Sequence, residues 1–249
     1  MPIIDIDNLS YRYPDGTIGL DRVDLRVDKG ALVVITGPNG SGKTTLLKQL
    51  NGLLLPQTGI VKIDGKEVAQ DLRRARQLVG MIFQDADNQI VGETVAADVA
   101  FGPENLRLPP DEIESRVDQA LHTIGLTTLA EQSPYSLSGG EKRRLSIAGV
   151  LAMDPEIIVF DEPFASLDYT GTRQVLQEMV RMKKAGKTLL VTTHDLEKII
   201  HYTDRLVVMN RGRIVRDGIP GRIIKDVETF GVREPCASRL GLTVASWLA

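Results

Sequence analysis

The stretch Gly37-Pro38-Asn39-Gly40-Ser41-Gly42-Lys43-Thr44 constrains this chain more than any other. Its spacing, G-x-x-x-x-G-K-[ST], is that of a phosphate-binding loop. The apolar run Ala31-Leu32-Val33-Val34-Ile35 precedes it and reads as a buried strand. Thr45-Leu46-Leu47-Lys48-Gln49-Leu50 follows and reads as the first turns of a helix. That strand–loop–helix context distinguishes a working loop from a Gly-rich turn. Glycines let the backbone curl around phosphate so that successive N–H groups form an anion nest. The helix N-terminus adds roughly half a positive charge. Lys43 can reach the β- and γ-phosphates, and the Thr44 hydroxyl can ligate Mg²⁺.

The rest of the chain is consistent with a packed α/β protein. Hydrophobic residues make up 42% and charged residues 25%, enough for a real core. The 30 basic and 33 acidic residues leave a net charge of −3, so no basic excess points to nucleic acid. Cys236 is the single cysteine, which excludes an intrachain disulfide and suits a reducing compartment. No signal peptide is visible after Met1. The apolar runs are strand-sized, well short of the ~20 residues of a membrane-spanning helix. Any membrane role is therefore expected to be peripheral, through a protein partner.

Up to about Lys29 the pattern alternates, as in Ile4-Asp5-Ile6 and Leu25-Arg26-Val27, with a turn at Pro14-Asp15-Gly16. Antiparallel strands are expected there, with a further short strand over Ile60–Lys66. Leu78–Phe83, Ile157–Phe160 and Thr188–Val191 are continuous apolar runs alternating with helical stretches. That rhythm implies a parallel sheet covered on both faces. From Pro109 to Leu126 the spacing is helical, with Asp111 as the expected cap. Leu206–Met209 and Arg213–Val215 flank Asn210-Arg211-Gly212 as a late hairpin. Beyond Asp226 the chain is less regular, and Phe230, Val232, Leu240, Leu242, Val244 and Trp247 suggest a small packed tail.

Two more motifs carry chemistry. The run Ile157-Ile158-Val159-Phe160 ends in Asp161-Glu162. Asp161 can hold Mg²⁺ and Glu162 can orient or deprotonate an attacking water. Upstream stands Leu137-Ser138-Gly139-Gly140-Glu141, which opens the helical run Lys142–Ala148. This pentapeptide resembles the signature motif of ATP-binding cassette (ABC) ATPases. Other elements of that family fall in order: Gln84 at a strand end as the Q-loop glutamine, Ser166-Leu167-Asp168 as the D-loop, and Thr192-Thr193-His194-Asp195 as the switch histidine. Tyr13 stands where the family stacks an aromatic on adenine, with Tyr11 its competitor two residues away. The resemblance covers roughly Ile4 to Asp217.

The resemblance implies an α/β fold: a P-loop (RecA-like) core, an antiparallel β-subdomain and a helical subdomain around residues 86–152. The nucleotide-binding domain would span 1–226, with a short C-terminal extension over 227–249. It implies ATP and Mg²⁺ as cofactors and hydrolysis to ADP and phosphate. Glu162, His194 and Gln84 would be catalytic, and Thr44, Gln84 and Asp161 would serve the metal. Nucleotide contacts would come from Tyr13, from Gly37, Pro38, Asn39, Gly40, Ser41, Gly42, Lys43, Thr44 and Thr45, and from Ser138, Gly139, Gly140 and Asp168. In the family the signature of one subunit closes on the nucleotide of another. A head-to-tail pair is thus implied, either a homodimer or a pair with a sister ATPase.

A finer resemblance lies in Phe83–Gly92 and Asp98–Asn105, which are similar to the post-Q-loop segment of energy-coupling factor (ECF) transporter ATPases, the group that includes cobalt and nickel importers. It implies import of a vitamin or transition-metal ion at the cytoplasmic face of the cell membrane, with a transmembrane coupling subunit and a substrate-binding membrane subunit. Position 141 carries Glu where Gln is commoner, and Asp85-Ala86 replaces a common Asn-Pro. The segment from Leu78 to Leu106 contains no Lys or Arg; since the membrane partner in that group presents arginines to its ATPases, the resemblance implies that Asp85, Asp87, Glu93 and Asp98 form or border a groove that receives them. Lys142-Arg143-Arg144 reads as the solvated face of the signature helix, and His122, His201 and Cys236 are assigned no functional role. The rival assignments are another type of ABC transporter, a soluble ABC protein of translation or DNA repair, and a P-loop kinase. The signature opposes the last, and the absence of a second cassette or a coiled-coil insertion opposes the soluble types.

Overall fold

A computed structural model of the chain describes residues 1–165 and 167–248. Its first layer is an antiparallel sheet of β1 (Ile4–Arg12), β2 (Ile18–Val27), β4 (Thr58–Ile63) and β5 (Lys66–Glu67), in the order β2-β1-β4-β5. The second sheet is built around β3 (Leu32–Thr36) and also contains β6 (Val79–Ile82), β7 (Ile157–Asp161), β8 (Thr188–Thr192), β9 (Arg205–Asn210) and β10 (Arg213–Gly218). Its order is β10-β9-β3-β8-β7-β6. Every pairing from β9 to β6 is parallel, and β10 closes one edge as the antiparallel arm of the late hairpin.

The helices are α1 (Lys43–Leu50), α2 (Leu72–Leu78), α3 (Val95–Asn105), α4 (Pro110–Thr123), α5 (Gly139–Met153), α6 (Tyr169–Lys184), α7 (Pro220–Ile223) and α8 (Cys236–Arg239). Successive strand residues point to opposite faces, so the parallel sheet feeds two cores. Val34, Ile158, Phe160, Leu189 and Val191 pack with α3, α4, α5 and α6. Val33, Ile35, Ile157, Val159 and Leu190 pack with α1 and the antiparallel sheet. The continuous apolar runs of the sequence are the result of burial on both sides.

Two local expectations are corrected. Asp111 does not cap α4: the N-cap is Pro109 and the helix starts on Pro110, whose missing N–H and fixed φ suit the first position. Asp111 and Glu112 lie in the first turn, where they complement the helix dipole. The basic triplet 142–144 is not a solvated face, because Arg143 is buried. Lys142 pairs with Asp87 at 2.6 Å, and Arg144 Nη1 donates to Gln174 Oε1 at 2.6 Å. The tail does pack. Val232 is buried, Trp247 stacks at a tilt on Tyr169 with ring centroids 5.6 Å apart, and Tyr202 and Ser246 share a 2.6 Å hydroxyl contact.

Candidate functional site

The carboxyl ends of β3, β7 and β8 lie side by side, which is where open parallel sheets place ligands. The phosphate loop leaves β3 and enters α1 through Gly42, a left-handed N-cap with φ 102°. A Cβ on Gly37, at φ 151°, would stand 2.1 Å from the Met209 carbonyl oxygen. The loop is therefore braced from behind by the β9–β10 hairpin. Gly212 N–H donates to Ser41 O at 3.0 Å, and Gly212 O accepts from Asp21 N–H at 2.9 Å. The hairpin thus positions the loop, a role no local motif advertised.

The loop's side chains face a cleft of about 460 Å³, lined by Asn39, Gly40, Ser41, Gly42, Lys43, Thr44 and Thr45 together with Tyr13, Gln84, Glu162 and His194. Lys43 Nζ curls back over the loop and donates to Gly37 O at 2.8 Å and Pro38 O at 3.2 Å. Burial pulls its pKa below the ordinary lysine value, opposed by the Glu162 and Asp161 carboxylates. Tyr13 reaches the cleft, with its hydroxyl 2.8 Å from Thr45 Oγ1. Tyr11 meets Tyr13 edge-on and packs against the core below, so of the two tyrosines it is Tyr13 that lines the cleft.

Asp161 joins the two motifs. Its Oδ2 accepts from Thr44 Oγ1 at 2.8 Å and its Oδ1 from Thr192 Oγ1 at 2.6 Å. The next residue, Glu162, has φ 46°, a left-handed conformation that costs a non-glycine residue about 1–3 kcal/mol and concentrates at functional sites. Its N–H is held by Thr192 O and Thr192 Oγ1, both at 3.1 Å. Its carboxylate Oε2 accepts from His194 Nδ1 at 3.0 Å. The Glu162 side chain is 11% exposed and that of His194 66%. A shielded carboxylate is thereby oriented by an imidazole that remains open to the cleft.

The signature is displaced from this cleft. Ser138 is the N-cap of α5 in a full capping box: Glu141 N–H donates to Ser138 Oγ at 3.4 Å, while Ser138 N–H and Oγ–H donate to Glu141 Oε2 at 2.8 and 2.6 Å. Those two bonds hold the Glu141 carboxyl below the ordinary glutamate pKa, so Glu suits this position. Ser138 and Gly139 are exposed, Gly140 is half-buried, and none of the three lines the cleft around Lys43. Asp168 is the N-cap of α6, with Oδ1 accepting from Gly171 N–H at 2.7 Å. Ser166, the first D-loop residue, lies outside the described residues.

Two functional residues escaped the motifs. Thr192 stood inside a quoted stretch without a role of its own, yet it ties β8 to both acidic residues. Among the described residues, Arg143 donates to main-chain carbonyls on either side of the cleft floor: Pro163, Glu162 and Asp161 from the β7 end, and Phe83 and Gln84 from the β6 end. A signal existed for it, since Arg143, Ile147 and Val150 share the i, i+4, i+7 stripe of α5.

The model of the family described as ABC transporter matches residues 20–165. An energy-coupling factor transporter ATP-binding protein, EcfA, of Methanocaldococcus jannaschii is 44% identical over 233 residues, 92% of this chain and 84% of its own length. The chain belongs to the ABC transporter family, in its energy-coupling factor branch. Methanosarcina acetivorans EcfA is 45% identical over 90% of this chain and 82% of its own length. Among solved structures, CbiO1 of Clostridium perfringens, described as part of the ABC transporter complex cbiONQ, superposes with TM-score 0.81 at 36% identity, covering 96% of this chain and 97% of its own. A dimeric ATP-binding cassette in a post-hydrolysis state, bound to ADP and Pi, superposes with TM-score 0.79 at 29% identity over 87% of this chain and 98% of its own. The chain is accordingly an ABC-type ATPase, which binds ATP and converts it to ADP and phosphate. The hairpin brace makes a specific demand on it. Gly37→Ala should weaken ATP binding at least about tenfold in a nucleotide titration, because strain and the Met209 clash deform the loop. Wild-type affinity would mean that the loop is not held by the hairpin.

Proposed function

We propose that this chain is the ATP-hydrolysing subunit that energises import of a small nutrient, a vitamin or a transition-metal ion, through an ECF-type transporter, acting as a peripheral subunit at the cytoplasmic face of the cell membrane. The observation that carries the chemistry is the convergence of Thr44, Asp161, Glu162 and His194 on one cleft. Lys43 and the loop amides would neutralise the β- and γ-phosphates. The Thr44 hydroxyl and Asp161 carboxylate, already 2.8 Å apart, are the hard oxygen donors that Mg²⁺ takes alongside phosphates, and Gln84 borders the same space. When bound, the metal supplies charge neutralisation to the phosphate oxygens. Glu162 would take the proton of the attacking water, and His194 would orient that carboxylate while meeting the γ-phosphate through its exposed edge. Tyr13 would stack on adenine.

The site needs a second cassette, either a copy of this chain or a sister subunit. Among the described residues, a Cβ on Gly139 or Gly140 would meet nothing of this chain within 4 Å. These glycines are not demanded by the chain's own packing, which fits close approach by another molecule. With Ser138 they open a helix whose N–H groups favour an anion. The reading that follows is a head-to-tail pair in which Ser138, Gly139 and Gly140 complete the partner's nucleotide site and Asp168 lies at the junction.

A membrane partner has a docking place. A groove of about 820 Å³ runs between α2, α3 and α5, lined by Leu53, Val91, Phe101, Leu106 and Met153, with Arg73 and Arg76 among its other residues. It is separate from the cleft of about 390 Å³ that Asp85 and Asp87 border with Gln84, Gly139 and Lys142, the place where the sequence suggested an acidic groove. Asp98 is buried, with Oδ1 accepting from the Val91 and Gly92 N–H groups at 2.7 and 2.9 Å. Asp87 pairs with Lys142, and Asp85 accepts from the N–H of Asp87 and from Asn88 Nδ2 within its own turn. The groove therefore suits an apolar element of a membrane subunit more than a row of arginines. Phe101, 51% exposed, is its most prominent ring.

In the assembled transporter, Glu162→Gln should keep ATP affinity and lose about 10²–10⁴-fold in turnover, the range a positioned general base supplies. Single-turnover hydrolysis and substrate uptake should fall together, and uptake at the wild-type rate would contradict the assignment. Phe101→Asp should leave ATP affinity unchanged and cut recovery of the membrane subunit in a pull-down at least about tenfold, as expected for a buried aromatic anchor. Unchanged recovery would remove the groove as the docking site.

A further inference from the structure

Arg143 has a geometry that packing alone does not require. It is 3% exposed, yet among the described residues its guanidinium meets five main-chain carbonyls and no carboxylate. Nη2 donates to Glu162 O at 2.9 Å and Asp161 O at 3.4 Å, and Nε donates to Pro163 O at 3.2 Å. Nη1 donates to the Phe83 carbonyl and to Gln84 O at 3.4 Å. Burial pushes its pKa down to about 10, against the Asp161 charge, so it remains a cation at neutral pH. A planar fork with five N–H groups is the side chain that can hold two strand ends at once.

The gripped segment is the strained one. Glu162 sits at φ 46°, with its N–H fixed by Thr192 and its C=O fixed by Arg143. We propose that Arg143 is a positioning residue: it clamps the left-handed Glu162 peptide to the Phe83-Gln84 strand end, so that α5, the Gln84 loop and the Glu162 carboxylate move as one unit. This rests on Glu162 being the general base. Displacing α5 or the Gln84 loop then shifts the carboxylate without touching the phosphate loop. A partner docked beside α5 thereby sets the hydrolysis rate more than ATP affinity.

The test uses Arg143→Gln, which keeps a neutral donor, and Arg143→Lys, which keeps the charge without the fork. Both are assayed in the assembled transporter for kcat, KM and ATP Kd. Misplacing the base predicts about 10- to 100-fold lower kcat in Arg143→Gln, with Kd and KM within about threefold and Lys in between. In a Glu162→Gln background, Arg143→Gln should change the residual turnover by less than about twofold, because it acts through Glu162. A wild-type kcat in Arg143→Gln, or a full multiplicative loss in the double variant, overturns the proposal. If Arg143→Gln no longer binds ATP, Arg143→Lys decides: reduced kcat at unchanged Kd supports the clamp, and normal kcat or lost binding reduces Arg143 to a structural anchor. Normal turnover in Glu162→Gln alone would instead sink the base assignment on which the proposal rests.

Discussion

The carboxylate of Asp161 is the point on which the site depends. It receives one hydroxyl from Thr44, at the first turn after the phosphate loop, and one from Thr192, at the end of β8. β8 lies between β3 and β7, so a single acidic side chain joins three adjacent strand ends. Buried at 3% exposure, it satisfies the rule that interior charges survive only when fully hydrogen-bonded. Glu162 follows it in the chain, and its left-handed turn is tolerable because Thr192 and Arg143 bond the two peptides on either side of it. The geometry of the site therefore inherits its precision from the paired ends of the central strands and not from loop rigidity.

What was legible in the sequence was local. The phosphate loop, the apolar runs of the parallel strands and the late hairpin are each encoded within a few consecutive residues, and each stands where its pattern indicated. What was not legible is set by partners distant in the chain. Arg143 looked like part of a basic surface because Lys142 and Arg144 flank it, and only the tertiary approach of β6 and β7 turns it into a buried clamp. Asp87 looked free because its partner, Lys142, is brought in by folding, and Asp98 is taken up by the Val91 and Gly92 amides through a local turn that hydrophobic patterning does not mark. Pro110 displaced Asp111 as the start of α4 through backbone geometry that side-chain capping preferences do not weigh.

The division of labour in the molecule follows from the same packing. One cleft collects the groups that bind and activate, while the N-terminus of α5 is presented outward with its capping box complete and its glycines unobstructed. Arg143 sits on the second turn of that same helix and faces inward. If its first residues meet a partner's nucleotide, as proposed, while its next turn holds its own Glu162, this helix is a mechanical link between two sites. The apolar groove beside α3 and α5 places a third surface on the same link. On the proposed reading, nucleotide, partner cassette and membrane subunit converge on one helix.

The most direct test of this account is complementation between protomers. Ser138→Arg in one protomer spoils the site at its partner's phosphate loop, and Lys43→Ala in the partner spoils that same site, which leaves the other site whole. Mixed pairs are therefore predicted to hydrolyse ATP at about half the wild-type rate, while each variant paired with itself stays near background. Mixed pairs no more active than either variant alone would contradict a site shared between two chains.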